Sequence, residues 1–455
     1  MSAADNPDGD PAAKRAVRPP GPIALFFDFE RYGATMRGEI IGGVTTFVAM
    51  SYIIALNPAI LSAAGIPASA AMVTTIIAAV FGSLLMGLYA NRPFAVAPYM
   101  GENAFIAYTV VRVLGYTWQT AMTAVFVSGI LFLVLTAARV RPWLVEAVPA
   151  ALRTAFSVGV GLFLSFVGLN EAGIVTLGVA GAPVRIGALD SPGVLIAIAG
   201  FILIALLLMY RVNGAPLIVI MLAAFACFAL GIAPAPHGYA GLPPDPRPLL
   251  MQIDFHGAFS WGFFGILITV FVMAFCDTLG TLIGVAGQAG LLENNGHLPR
   301  IEQPMMVDAL ATTLAGLIGA STTGAYMESA TGVMAGARTG LSAVITAILF
   351  SVSLLFAPFI AAIPAAAYSP VLIMVGLQMA GSVTRINFED LTESIPALCV
   401  VLLMSFTYNI AIGVTSGFVL YPLFKVATGR WREVRPGLWF LAVLSLMFYV
   451  FYPYR

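Results

Sequence analysis

The 455-residue chain is 60% hydrophobic and 9% charged, and its formal net charge is zero. Soluble domains carry roughly a quarter charged residues, so this composition excludes a water-covered surface and calls for lipid as the solvent. Zero net charge also removes electrostatic support for a nucleic-acid partner.

Residues 1–22 are polar and rich in Pro and Ala, without the short apolar core of a cleavable signal, and read as a disordered cytoplasmic tail. A helix needs about 20 apolar residues to cross a bilayer. Spans are predicted near 39–60, 68–90, 95–114, 119–138, 147–168, 192–210 and 214–233. A Pro/Gly-rich extracytoplasmic connection follows, at 234–260. A second set is predicted near 261–285, 305–320, 324–338, 341–363, 367–383, 393–408 and 410–427, and a further apolar run occupies 437–453. With the N-terminus inside, every Lys and Arg except Arg112, Arg185, Arg247 and Arg455 falls on the cytoplasmic side. That bias supports both the count and the orientation in a cytoplasmic (inner) membrane.

The chain also repeats itself. Phe47-Val48 matches Phe271-Val272, Gly82 matches Gly316, and Tyr99-Met100 matches Tyr326-Met327, in order and at nearly one offset. Each half holds seven spans, an odd number, so the halves insert with opposite orientation. The predicted fold is an all-α polytopic membrane protein of about fourteen segments in two inverted repeats, an arrangement characteristic of transporters. Cys227, Cys276 and Cys399 lie in apolar runs with no C-x-x-C pair, and His237, His256 and His297 lie in connections. No zinc site or cofactor is expected from them.

Ionisable groups at membrane depth are costly and are functional candidates by default. Asp277 lies in the eighth span, Glu328 in the tenth, and Glu102 with Asn103 in the third. The third and tenth spans are repeat-related, and both read as broken: FAVAP is extended before a helix start, and GASTTG plays the same part before Tyr326. Each half-helix would present free backbone N–H groups near the midplane, where non-helical backbone is tolerated only if it lines protein or a cavity. Bland readings compete: Glu102 as a cap of its own helix, Asn103 as a structural hydrogen-bonder, Tyr99 and Tyr326 as packing aromatics, Arg338 as an interface anchor. Asp277 and Glu328 are the acids hardest to explain by packing. No Lys or Arg is predicted at the midplane. Carboxylates, an amide, hydroxyls such as Thr281 and flat aromatics suit a neutral, planar, polar heterocycle. Carboxyls in a low dielectric favour the protonated form, so proton coupling is expected, with sodium as the alternative.

The chain resembles the adenine–guanine–hypoxanthine permease branch of the nucleobase–cation symporter-2 (nucleobase–ascorbate transporter) family. The resemblance runs from Phe26 to about Val426 and is carried by APYMGENAF at Ala97–Phe105, FCDTLGTLIG at Phe275–Gly284 and ESATGVMAGARTGLSAV at Glu328–Val344. It implies a core domain at 23–140 and 261–364 and a gate domain at 141–233 and 365–428, with 429–455 outside the repeat. It implies a purine nucleobase held by Asp277 and Glu328, with Asn103 in the purine site; from the residues themselves, the same two acids are expected to carry the proton, and Glu102, Thr281 and Tyr326 complete the expected binding set. Where uracil-transporting relatives carry a His one turn after the segment-8 acid, this chain has Thr281, so a His-based relay is not expected. A homodimer through the gate domain is the implied assembly. Two readings compete with this one. A sulfate-type anion transporter would share the fold but usually carries a cation where Glu328 stands. An intramembrane enzyme needs paired aspartates with a GxGD element or Asp-rich metal motifs, and Asp277 stands in neither.

Overall fold

The computed structural model describes residues 21–138, 148–179, 182–236, 238, 240–257, 261–288, 291, 298–407 and 409–451. Most of the tail predicted at 1–22 and the predicted domain boundary at 140/141 lie outside them. Among the described residues, eight helices are long and apolar enough to cross a membrane, and shorter apolar helices accompany them.

The first span is two helices, α1 (Met36–Met50) and α2 (Ile53–Ser62), separated by a break at Ser51-Tyr52. The second is α3 (Ala68–Leu88). The third begins as a strand, β1 (Val96–Pro98), and continues as α4 (Met100–Ala104), which widens into a π-helix over Phe105–Val113. Then come α5 (Trp118–Ala137) and α6 (Ala150–Glu171). An exposed β-hairpin follows, β2 (Val175–Val179) with β3 (Ala182–Ile186). Span prediction leaves that stretch as a connection, because its alternating residues are too few for a membrane helix. The first half closes with α7 (Pro192–Met209) and α8 (Ala215–Ala229).

The second half runs α9 (Trp261–Gln288), α10 (Glu302–Ile318), β4 (Thr323–Ala325), α11 (Ser329–Met334), α12 (Gly340–Ser353), α13 (Ala357–Ala361), α14 (Ala365–Ala380), α15 (Leu391–Phe406) and α16 (Ile410–Ala427). Capping fixes several of these starts. Thr35, Thr117, Asp390 and Asn409 each accept a backbone N–H of the helix they precede. Glu39, buried in α1, caps α12 from across the molecule. Its carboxylate accepts the N–H groups of Arg338, Thr339 and Ser342 at 2.8, 2.9 and 3.0 Å. The Arg338 guanidinium donates to the carbonyls of Val333 and Ala337, which ties it to the end of α11. The 437–453 run folds as α17 (Pro436–Phe451), packed on α16 and α9. Its 16 residues reach about 24 Å, short of the roughly 30 Å hydrocarbon core.

The helices pack as two bodies. In one, α10 lies on α5, α12 on α3 and α1, and α9 on α5. In the other, α14 and α15 lie on α6, α15 on α16, and α7 and α8 on α14. Gly161 and Gly376 set the spacing of the α6–α14 pair. A Cβ on either would collide with the other's carbonyl oxygen, so the two backbones touch. Between the repeats, β1 and β4 pair antiparallel, Val96 with Ala325, Ala97 with Gly324 and Pro98 with Thr323. This pairing satisfies backbone groups that broken helices would otherwise leave bare in the membrane.

Candidate substrate-binding site

A cavity of about 460 Å³ lies where the two bodies meet, within the range of small-molecule sites. One wall comes from the broken segments: Tyr99 to Glu102 after β1, Ala325 to Glu328 at and after β4, and Tyr52 from the α1–α2 break. Asp277 and Thr281, one turn apart on α9, share the face that lines it. The opposite wall is the first turns of α6 (Ala150, Arg153, Thr154, Ser157) and the last turns of α14 and the segment after it (Val375, Gln378, Met379, Ser382, Arg385).

Of the residues singled out in the sequence, Asp277, Glu328, Glu102, Thr281 and Tyr326 line this cavity together. Asp277 and Glu328 are half-buried and so reachable from it. The Tyr52 hydroxyl donates to Glu328 Oε1, which orients that carboxylate and leaves its other oxygen for a ligand. Tyr326 is fixed by its hydroxyl, which donates to the Pro98 carbonyl. Glu102 is an acid in the first turn of α4, fully buried, and neither carboxylate oxygen has a hydrogen-bond partner among the described residues. Asn103 sits behind the wall, fully buried. Its Nδ2 donates to Asn57 Oδ1, Asn57 Nδ2 donates to Thr75 Oγ1 at 2.7 Å, and this chain ties α4 to α2 and α3.

Sequence reasoning missed Tyr52, Gln378 and the two arginines on the cavity wall, Arg153 and Arg385. Both arginines were read as charges at the membrane surface. Nothing in the linear pattern says that a surface-end arginine turns into a cleft between two bodies. It also missed Asp308, which is buried in α10 and accepts the Thr278 hydroxyl. At the far end of α6 the two bodies are bonded to each other. The Tyr108 hydroxyl on the π-helix donates to Glu171 Oε1 at 3.2 Å, and Tyr368 of α14 lies beside the same carboxylate. Among the described residues the cavity therefore reaches the α6 N-terminal end, and the bodies are latched at the other.

The model of the Permease family matches residues 37–416. The adenine permease AdeP of Escherichia coli (strain K12) is 38% identical over 95% of this chain and 96% of its own length. The guanine/hypoxanthine permease PbuO of Bacillus subtilis (strain 168) is 39% identical over 93% and 99%. Among solved structures, the transmembrane domain of the cyanobacterial bicarbonate transporter BicA superposes with a TM-score of 0.60, covering 84% of this chain and 97% of that one. At 19% identity that likeness speaks to fold alone. The chain is a multi-pass membrane transporter, and it belongs to the Permease family, in the adenine–guanine–hypoxanthine permease branch of the nucleobase–ascorbate transporters.

Proposed function

We propose that this permease imports purine nucleobases, from the adenine, guanine and hypoxanthine set, by proton symport. The observation that carries this reading is the pair of reachable carboxylates, Asp277 and Glu328, on one wall of a cavity floored by broken helices. A purine offers ring and exocyclic N–H donors to two carboxylates and a flat face to Tyr326. Thr281 completes the wall, Glu102 lies fully buried inside it, and Asn103 holds α4 in place behind it. The named substrates of AdeP and PbuO support the same class.

The body built on β1, β4, α9 and α10 is the core (23–140 and 261–364) and the body built on α6 and α14 is the gate (141–233 and 365–428), with 429–455 outside both. Rocking the core against the gate about the cavity gives alternating access. The cavity mouth carries Arg153 and Arg385, cytoplasmic by the positive-inside bias, so this conformation faces inward. The N-terminus is cytoplasmic, the membrane is the inner one, and the assembly is a homodimer through the gate.

The test is competition uptake. Cells expressing the protein should accumulate labelled adenine or hypoxanthine, unlabelled purines should compete, and uracil and sulfate should not. An uncoupler should abolish accumulation. Sulfate uptake without purine uptake would replace this reading with the anion-transporter one.

A further inference from the structure

Three carboxylates lie close together in the core body, and they are not equivalent. Asp277 reaches the cavity. Asp308 is held by the Thr278 hydroxyl. Glu102 stands in the first turn of α4, fully buried, with both oxygens unpartnered among the described residues. The titratable groups in electrostatic range of it are Asp277 on α9, Asp308 on α10, and the phenols of Tyr99 and Tyr326. None is a cation. An ionised carboxylate there would have given up its hydration for no hydrogen bond from another described residue and no adjacent counter-charge, beside other acids. The group needs a proton, or its equivalent, whenever the cavity wall is closed over it.

We propose that Glu102 is the proton-storing carboxyl of the transport cycle. The proton rides on Glu102 inside the wall, while Asp277 and Glu328 meet the substrate. One proton is taken up from the outside as the cavity faces out, and the same proton leaves to cavity water by way of the partly exposed Asp277 as it faces in. No bond to the substrate is made or broken. This rests on the reading of the protein as a proton-coupled purine carrier.

The experiment uses the full-length protein in proteoliposomes with a pH-sensitive dye inside, given labelled hypoxanthine or adenine. For wild type, purine entry should acidify the lumen. Glu102→Gln, which mimics the protonated acid, should keep purine counterflow and bind purine within about threefold of wild type, yet acidify nothing and accumulate nothing. Glu102→Asp should recover acidification. Glu102→Gln that acidifies like wild type overturns the proposal. So does loss of purine binding in a Glu102→Gln protein that unfolds at the wild-type temperature, which would make Glu102 a ligand of the base. Wild type that takes up purine with sodium and no acidification overturns it by removing the proton, and wild type that takes up no purine rejects the substrate reading instead. Should Glu102→Gln not fold, dicyclohexylcarbodiimide on wild type decides. This reagent attacks protonated carboxyls in apolar surroundings. An adduct on Glu102 that declines as pH rises is expected, and adducts on Asp277 or Glu328 with Glu102 untouched would overturn the assignment.

Discussion

Tyr99 and Tyr326 stack across the strand pair, with ring centroids 6.0 Å apart and planes 16° from parallel. Each reaches into the other repeat. Tyr99 N–H donates to the Thr322 carbonyl and Tyr326 N–H to the Ala95 carbonyl, both at 3.0 Å. The Tyr99 hydroxyl donates to the Ala325 carbonyl and the Tyr326 hydroxyl to that of Pro98. Counted from the two tyrosines, these are the same bonds made twice. The pseudo-twofold axis of the duplication therefore passes between Ala97 and Gly324, which pair with each other. The two tyrosines pack and bond as a unit, and the same unit presents Tyr326 to the cavity.

Gly324 is the tight point of that unit, because a Cβ there would overlap the Tyr99 ring. Gly324→Ala should cost about 1–3 kcal/mol through overpacking and depress purine uptake with it. Gly381→Ala is the control, since its Cβ would meet nothing within 4 Å. Thermal unfolding of the purified proteins, with uptake in parallel, checks both. Equal unfolding temperatures for Gly324→Ala and wild type would mean that the tyrosine pair moves aside freely.

The span count was legible because bilayer thickness imposes one period on every helix, and the broken spans because Pro98 and Gly324 sit in apolar runs with no room for a loop. Asp277 and Glu328 stood out as charges in places where charge is expensive. Tyr52 and Gln378 did not, because an uncharged polar residue in a membrane helix carries no such mark. Glu39 and Asp308 sit near span ends and were passed over. Their burial depends on which helix covers them, and that is a property of the packed bundle.

Asp277 should be tested by charge alone. Asp277→Asn keeps the volume and removes the anion that accepts purine N–H groups. Loss of a charge-assisted hydrogen bond, about 1.5–3 kcal/mol, predicts purine binding weaker by roughly ten- to a hundred-fold. Calorimetry on purified protein measures it. Wild-type affinity would return Asp277 to a packing role.

The latch at Glu171 should set the balance between open states. Its bond to Tyr108 joins the two bodies on the side away from the cavity mouth. Glu171→Gln with Tyr108→Phe removes about 1 kcal/mol of net hydrogen bonding, enough to shift a two-state population about fivefold. A cysteine at Gln378, inside the mouth, should then react more slowly with a thiol reagent from the cytoplasmic side, in a background without the native cysteines. An unchanged rate would show that the latch survives the transition intact.

Lys425 gives a pH prediction away from the cavity. It is fully buried at the end of α16, 2.8 Å from Glu433, 3.5 Å from Asp390 and 3.6 Å from Glu393. Arg430 adds bonds to Glu433 and Asp390 at 2.7 Å. Arg430, then Lys425, hold the Glu433 carboxyl down at about 2. Thr392, with Arg430, holds Asp390 below its usual range. Both shifts are downward, so the stabilisation is complete above the ordinary values of 4.5 and 3.8 and is lost as pH falls toward 2. Between pH 5 and 8 this cluster should add no pH dependence to unfolding. Lys425→Met leaves Glu393 without a cation and Asp390 and Glu433 with Arg430 alone, and should lower the unfolding midpoint by about 2–4 °C at neutral pH. An unfolding temperature equal to wild type would mean that Arg430 alone suffices.

The last prediction separates the two oxygens of Glu328. Tyr52 donates to Oε1, and the carboxylate faces the cavity. If the other oxygen binds the purine, Glu328→Gln places an NH₂ donor against the ligand's own N–H or against the Tyr52 hydroxyl. Purine affinity should fall by roughly ten- to a hundred-fold, the worth of a charge-assisted bond of about 1.5–3 kcal/mol. Tyr52→Phe removes only the orienting bond, so its loss should be smaller, about 1 kcal/mol or fivefold. Because Tyr52 acts through Glu328, adding Tyr52→Phe to Glu328→Gln should cost almost nothing further. The double-mutant cycle, measured as purine affinity by calorimetry, reads this directly. Full additivity would place Tyr52 on the substrate in its own right, with its bond to Glu328 incidental to binding.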